Sequence, residues 1–372
     1  MAKKKRDGTV PTIASIGVGI PKYKITQSDA REFIRTIFPR SSHQIERLLP
    51  VFEHASIEER QIAVPVEWLK EEHTFEDRNR CYIQAAINYA EMAIEDCLHH
   101  RHFLKQPVHE REIDCMIFVS STGIATPSID AELINNLPFS GNITRIPIWG
   151  LGCAGGASGL ARAADYLRAH PDANVLLINA EFCSLSFQKN DHRKSNFVGS
   201  ALFGDGVSCV LMTGDDSKLR ENIKHAAPKV THSSSKFKKD GLAIMGWDIQ
   251  NSGFHVIFSK SIPKLVESFW SEHINEFLHK YKLKIGEFPF FVAHPGGKRV
   301  LEAMEQVLNV SRDFFTFSYQ VLKSHGNMSS PTVIYVLKKA METFPDAGTK
   351  SLLSALGPGF SSELTLLEWK EL

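Results

Sequence analysis

Short apolar runs alternate along the chain with longer stretches in which apolar residues recur every three or four positions. That alternation marks strands and helices interleaved in an α/β protein. DCMIFVSST (114–122), ANVLLINAE (173–181) and VSCVLMTG (207–214) are apolar at successive positions, which predicts strands buried on both faces. TVPTIASIGVGIP near the start also has strand length and strand residues. Further along, FPFFVAHPGG (288–297) predicts a strand and a turn, and KSLLSALGPG (350–359) and SSELTLLEW (361–369) predict two strands. Helical spacing predicts helices over 26–38 with Thr26 as N-cap, over 78–99, near 128–137, over 153–170 ending at Pro171, over 297–308 and over 329–344. Residues 182–200 and 215–255 are polar, rich in Lys, Ser, Asp and Gly, and read as irregular.

The pattern repeats. A shift of 174 residues lays CMIFVSST on PFFVAHPG, and GCAGGASGLARAADYL on GNMSSPTVIYVLKKAM. ANVLLINAE then meets KSLLSALG with a small slip, and VSCVLM meets LTLLEW after a shorter connection. Two like halves, 1–220 and 221–372, are therefore expected about a pseudo-twofold axis. Matching helix starts meet near such an axis. Cys153 falls on Asn327, and His294 ends the strand that matches the one ending near Ser120. The duplication thus predicts that Cys153, His294 and Asn327 come together from distant parts of the chain.

Composition narrows the possibilities without choosing among them. The 372 residues are 43% hydrophobic, enough for a sizeable core, and carry 43 basic against 42 acidic side chains. A net charge of +1 gives no nucleic-acid footprint. No apolar run reaches the ~18 residues of a membrane span, and the basic start MAKKKRDG lacks a signal-peptide core. A cytoplasmic location is expected. None of the six cysteines forms a CxxC pair, and six are too sparse for a disulfide scaffold. Cys81, Cys97, Cys115 and Cys209 lie in helical or strand-like runs and read as small core residues.

Cys153 differs. It stands in WGLGCAGGASGL among five glycines, with a helix following at once, so the positive end of that helix favours thiolate. A core residue at a tight turn is the plain alternative. His294 in VAHPGG has a strand cap as its plain alternative, and Asn327 in SHGNMSSP has simple N-capping. Together, a thiolate beside an imidazolium is a nucleophile able to take an acyl group from a thioester. An imidazole N–H and an amide N–H aimed at one point stabilise charge on a thioester carbonyl. That charge develops when a malonyl thioester loses CO2 and the resulting carbanion attacks the acyl-cysteine. This decarboxylative Claisen condensation needs no metal and no redox cofactor, and GDG in ALFGDGVS reads as a turn rather than a dinucleotide loop. A thioester hydrolase, in which Asn orients His and water is the acceptor, stays open at this point.

The chain resembles the type III polyketide synthases, the chalcone and stilbene synthase family, over nearly its whole length. GLGCAGGASGLARAADYL, ALFGDGVSCVL, NSGFHVIFSKSIP, HPGGKRVLEA, HGNMSSPTV and GPGFSSELTLL carry the resemblance. It implies a thiolate-dependent condensing enzyme on the five-layered αβαβα thiolase-like fold, working as a homodimer on free acyl-CoA and malonyl-CoA. It places the catalytic triad on Cys153, His294 and Asn327, and two gating phenylalanines on Phe203 and Phe254. Cavity-lining positions fall on Ser121, Cys183, Ser186 and Ser329, all small. Small walls suit a long acyl starter, so a fatty-acyl starter and an alkylpyrone or alkylresorcinol product are expected.

The likeness is poorest where plant members supply basic contacts to CoA. Arg47, His54 and Arg60 lie in that run, and Lys298 and Arg299 after HPGG are further candidates. Thr126 replaces the methionine with which plant members reach across the dimer, so their cyclisation specificity does not carry over. An initiating ketoacyl-carrier-protein synthase shares the fold and residue types, but would need a basic docking patch for an acidic carrier. A non-catalytic acyl-CoA-binding relative is the remaining alternative.

Overall fold

The computed structural model describes residues 9–38 and 47–371, so the basic start at 1–8 lies outside the described residues. Among the described residues, nine strands form one large mixed sheet. The first half contributes β1 (Thr12–Gly19), then, after the separate antiparallel pair β2 (Tyr23–Thr26) and β3 (Glu59–Ile62), β4 (Cys115–Ser120), β5 (Thr144–Trp149), β6 (Asn174–Phe182) and β7 (Asp205–Thr213). The second half contributes β8 (Ala227–Phe237), then, after the hairpin β9 (Met245–Gln250) and β10 (Gly253–Phe258), β11 (Val292–Ala293), β12 (Lys350–Gly357) and β13 (Ser361–Lys370).

The strand order is β11-β12-β13-β8-β1-β7-β6-β4-β5, with the halves meeting where Thr12 pairs with Lys229. Outward from that seam the pairings run antiparallel, antiparallel, parallel on both sides: β1–β7–β6–β4 matches β8–β13–β12–β11. The expected pseudo-twofold is therefore written in the strand directions. β4, β6 and β7 are buried at every position, as their continuous apolar runs predict.

Helices complete five layers. Helix α1 (Gln27–Ile37) is capped by the Thr26 side chain, as its sequence predicts. Helix α2 (Phe75–Leu98) begins three residues before the expected 78, because Thr74 and Asp77 close a reciprocal capping box, and it covers β1, β6 and β7. Helix α3 (Gly155–Ala169) and its repeat partner, described below, pack on each other between the half-sheets. On the far face, Trp270 Nε1 donates to Ser354 Oγ at 2.8 Å, and His273 lies between Ser362 and Ser234. These residues belong to a helical run that continues as α5 (Ser271–Tyr281), for which no helix is expected above.

Both segments expected to be irregular contain regular structure. Within 182–200 the helix α4 (Lys194–Leu202) forms, its polar start held by Asn196 bridging the Gln188 and Asp191 carbonyls at 2.8 Å. Within 215–255 lie β8, β9 and the start of β10. Two of the three serines of β8 find side-chain partners: Ser234 with His273 and Ser235 with Glu363. Their polarity hides the strand from a search for apolar runs. Three more helices follow: α6 (Lys298–Leu308), α7 (Thr316–His325) and α8 (Ser330–Met341), the repeat partner of α3. Among the described residues no helix is long and apolar enough to cross a membrane.

Candidate active site

The glycine run around Cys153 has two jobs. Gly152 has φ +48°, and a Cβ there would lie 2.8 Å from Pro358. Gly156 lets α3 approach the start of α8, since a Cβ would lie 2.4 Å from the Ser330 carbonyl. Cys153 itself sits in a single 3-10 turn, Gly152–Ala154, that leads into α3. Its sulfur therefore lies at the start of a helix, at the interface with the second half.

Asn327 occupies the matching place before α8. It is not that helix's N-cap: the cap is Ser329, which makes no side-chain capping bond. Asn327 Oδ1 instead accepts from Ser329 N at 2.8 Å and lies 3.9 Å from Cys153 Sγ, while Nδ2 donates to the Gly296 carbonyl at 3.3 Å. An amide has two N–H donors, and this contact uses one. His294, at the end of β11, is held by its backbone N–H on the Ser354 carbonyl at 2.8 Å, and neither ring nitrogen has a partner among the described residues.

Cys153, His294 and Asn327 are 7%, 3% and 0% exposed and line one narrow chamber with Met245, Phe258, Ile262, Gly296, Val300 and Leu356. The triad predicted from three distant motifs is thus brought together. Burial pushes the Cys153 thiol up to about 11, against hydrogen bonds from Ser329 and Asn327 that pull the other way. Burial alone brings His294 down to about 3. Both shifts favour the neutral forms. In each case the cause is desolvation, which opposes the thiolate–imidazolium pair expected from the sequence.

A second chamber shares Cys153, Met245 and Phe258 with the first and adds Cys183, Phe203, Trp247, Val256 and Ser329. A third, somewhat larger, shares Cys183, Phe203 and Val256 and adds Ser186. Its remaining wall is mainly apolar, with Ile25, Phe33, Ile34, Leu69 and Phe187. Of the small cavity positions, Cys183, Ser186 and Ser329 therefore border open space. Ser121 lines none of the three: its N–H and hydroxyl donate to the buried carboxylate of Glu181 at 2.9 and 2.8 Å.

Phe203 separates the second and third chambers. Phe254 is buried and lines none of the three chambers, its ring 5.4 Å from Phe75. Between the two stands Trp247, with ring centroids 5.9 Å from Phe203 and 6.2 Å from Phe254. Sequence reasoning missed Trp247, Met245 and Phe258, because it took the β9–β10 hairpin as irregular. The available signal was the two-residue turn at Asn251–Ser252, with Met245 and Trp247 two residues apart on one strand. Glu181 was missed as well. It is fully buried, accepts from Ser121, Thr122 and Ser330, and is raised by burial to about 7.

The basic candidates divide. Arg47, His54 and Arg299 are exposed, and Lys298 pairs with Glu302 at 3.5 Å. Arg60 is 2% exposed and its NH1 donates to the carbonyls of Ser200 and Phe203, so it is no surface contact for a phosphate. Lys298 and Arg299 open the helix whose Val300 lines the His294 chamber.

Residues 1–216 match the N-terminal domain of the chalcone and stilbene synthases, and residues 229–368 match their C-terminal domain. A putative chalcone synthase of Bacillus subtilis (strain 168) is 45% identical over 360 residues, 96% of this chain and 99% of its own length. A 1,3,6,8-tetrahydroxynaphthalene synthase of Streptomyces peucetius subsp. caesius is 32% identical, covering 96% of this chain and 93% of its own. Among solved structures, 1,3,6,8-tetrahydroxynaphthalene synthase of Streptomyces coelicolor A3(2), a bacterial type III polyketide synthase, superposes with a TM-score of 0.87 at 28% identity, covering 97% of this chain and all of that one.

Proposed function

Because the chain belongs to the chalcone and stilbene synthase family of type III polyketide synthases, which are decarboxylating condensing acyltransferases, we propose that it loads a fatty-acyl starter from CoA onto Cys153 and extends it with malonyl-CoA. The observation that carries the reading is the single buried chamber in which the Cys153 thiol faces the Asn327 carboxamide at 3.9 Å with the unpartnered ring of His294 beside them.

His294 takes the thiol proton as the acyl thioester arrives, and CoA leaves as its thiol. Neither ring nitrogen of His294 has another partner among the described residues, so the ring can accept the proton as the substrate's carbonyl arrives to share the developing charge. In extension, the second N–H of Asn327 and a ring N–H of His294 donate to the malonyl thioester oxygen while CO2 departs. The carbanion then attacks the acyl-cysteine carbonyl, and sulfur is released with its electron pair. Phe203, with Phe254 beyond Trp247, keeps water from the carbanion. The product leaves as a pyrone by lactonisation or as a resorcinol by ring closure.

The fatty-acyl choice is supported by the third chamber. It continues the space at the sulfur past Cys183 and Phe203, and its wall is mostly apolar. An acyl chain gains roughly 0.8 kcal/mol for each buried CH2. Lys298 and Arg299, at the outer end of the His294 chamber, are the CoA phosphate contacts in this reading, with Arg47 and His54 as outlying ones. The division at 220/221 assigns the nucleophile to one half and both donors to the other.

The working form in this reading is a cytoplasmic homodimer. β5 is an edge strand paired only with β4, and Trp149 at its end is 51% exposed near exposed Ile124. An unpaired edge with exposed apolar side chains is a surface for a second copy. A monomer at micromolar concentration in sedimentation would remove this part.

The experiment is incubation with a panel of acyl-CoAs and carboxyl-labelled malonyl-CoA, without carrier protein. Labelled CO2 released together with extended products by mass spectrometry is the expected result. Free acid without CO2 would mean a hydrolase, and turnover only after adding a carrier protein would mean a carrier-dependent synthase.

A further inference from the structure

β3 is four residues long and lies outside the large sheet, yet its side chains reach the two segments that carry the gate and the amide donor. Those segments are joined to each other. Gly204 N donates to the Asn327 carbonyl at 3.0 Å, and Asn327 N donates to the Leu202 carbonyl at 2.8 Å. Phe203 and Asn327 therefore form one unit, and a shift of either backbone moves both.

Arg60 grips one side of that unit. Its NH1 donates to the carbonyls of Ser200 at 2.8 Å and Phe203 at 3.2 Å, and its NH2 bonds Gln27 Oε1. Gln27 in turn donates to the Phe52 and Ala201 carbonyls at 2.9 and 3.2 Å. Gln61, the next residue, grips the other side. Its Nε2 donates to the Ser324 carbonyl at 3.2 Å, and its Oε1 accepts from His325 Nδ1 at 2.6 Å. Burial brings His325 down to about 4, so the ring is neutral near pH 7 and Nδ1 bears its proton. The strand is itself pinned at both ends: Glu58 N donates to the Lys323 carbonyl at 2.8 Å, and Ala63 N to Asp205 Oδ2 at 2.8 Å.

We propose that Arg60 and Gln61 are positioning residues for the condensation, a two-sided clamp on β3 that holds the Phe203 gate and the Asn327 amide at their working distance from the Cys153 sulfur. Neither residue touches the reacting atoms. Arg60 acts through the carbonyl of Phe203, and Gln61 through the turn that precedes Asn327. The inference rests on the roles given above to Phe203 and Asn327. The guanidinium meets both carbonyls through NH1 and Gln27 through NH2, a span that a lysine's single nitrogen does not cover.

The test uses Gln61→Leu and Arg60→Lys in the full chain, each assayed for three things. These are acyl transfer from acyl-CoA to Cys153 by intact mass, malonyl-CoA decarboxylation, and thermal melting. Loading needs the thiol and His294 but not the amide. Gln61→Leu is expected to leave loading within about twofold and melting unchanged within a few degrees, while the decarboxylation kcat falls about tenfold or more with little change in KM. Arg60→Lys keeps the charge opposite Asp205 but cannot hold the Ser200 and Phe203 carbonyls and Gln27 at once, and the same split is expected. If loading and decarboxylation fall together, in step with melting, the residues merely hold the fold and the proposal is overturned. If neither rate moves, it is overturned as well. Absence of decarboxylation in the unsubstituted protein would strike down the condensing reading itself and the clamp with it, and is told apart by appearing before any substitution.

Discussion

Two spaces lead away from the sulfur of Cys153, and they differ in what their walls leave unpaired. Toward His294 and Asn327 the chamber is small, and its polar groups are short of partners: both ring nitrogens of His294 and one amide N–H. Past Cys183 and Phe203 the space is larger, and most polar groups there are already engaged, as with Ser186, whose hydroxyl donates to the Cys183 carbonyl at 2.7 Å. An unsatisfied buried donor costs on the order of 1–3 kcal/mol until a ligand meets it. The first chamber therefore recovers that cost when a carbonyl oxygen arrives, and more when the oxygen carries charge. The second reads shape and apolar area only. Chemistry and chain selection are in this way separated on either side of one atom.

The largest break in that division comes from the sulfur itself. Cys153→Ala is expected to abolish acyl loading and product, while malonyl-CoA decarboxylation persists, since the oxygen-binding side is intact. Labelled CO2 and product mass read both. Asn327→Ala removes a donor from the small chamber and should slow decarboxylation roughly a hundredfold to a thousandfold with loading kept. If it decarboxylates at the parent rate, the donor role is wrong. Ser186→Phe intrudes only on the apolar side. Its kcat/KM for long acyl-CoAs should drop by up to about a hundredfold relative to short ones, with decarboxylation unaffected. Equal losses at every chain length would mean that the starter does not extend into that space.

A change of pH sharpens the comparison without altering a wall. Burial holds the Cys153 thiol near 11, above its ordinary value, so the neutral form dominates at lower pH and the thiolate fraction grows with pH. Alkylation of Cys153 by iodoacetamide, followed by peptide mass, should climb about tenfold per pH unit from 7 to 10 without a plateau. A plateau near neutrality would show a thiolate already paired with a charged His294.

Much of this was legible in the residues. Continuous apolar runs locate β4, β6 and β7, and the 174-residue shift aligns Cys153 with Asn327. The failures cluster where polarity and structure coexist. β8 carries three consecutive serines, two lysines and few apolar residues, and α4 opens on polar residues, so neither has a run to detect. Trp247, Met245 and Phe258 went unnoticed for the same reason, since the hairpin carrying them looked like loop. Arg60 resembled a phosphate ligand by type and turned out to be a buried clamp, because a residue's type does not reveal how deeply it lies.

Periodicity is a local property, and so the continuous apolar strands, several of the helices and the duplication were readable from the sequence alone, as were the three residue types capable of the chemistry. Protonation, open volume and the joining of Phe203 to Asn327 were decided only by tertiary structure. Each depends on groups far apart in the chain that exclude water from one another, and desolvation has no counterpart in a linear pattern.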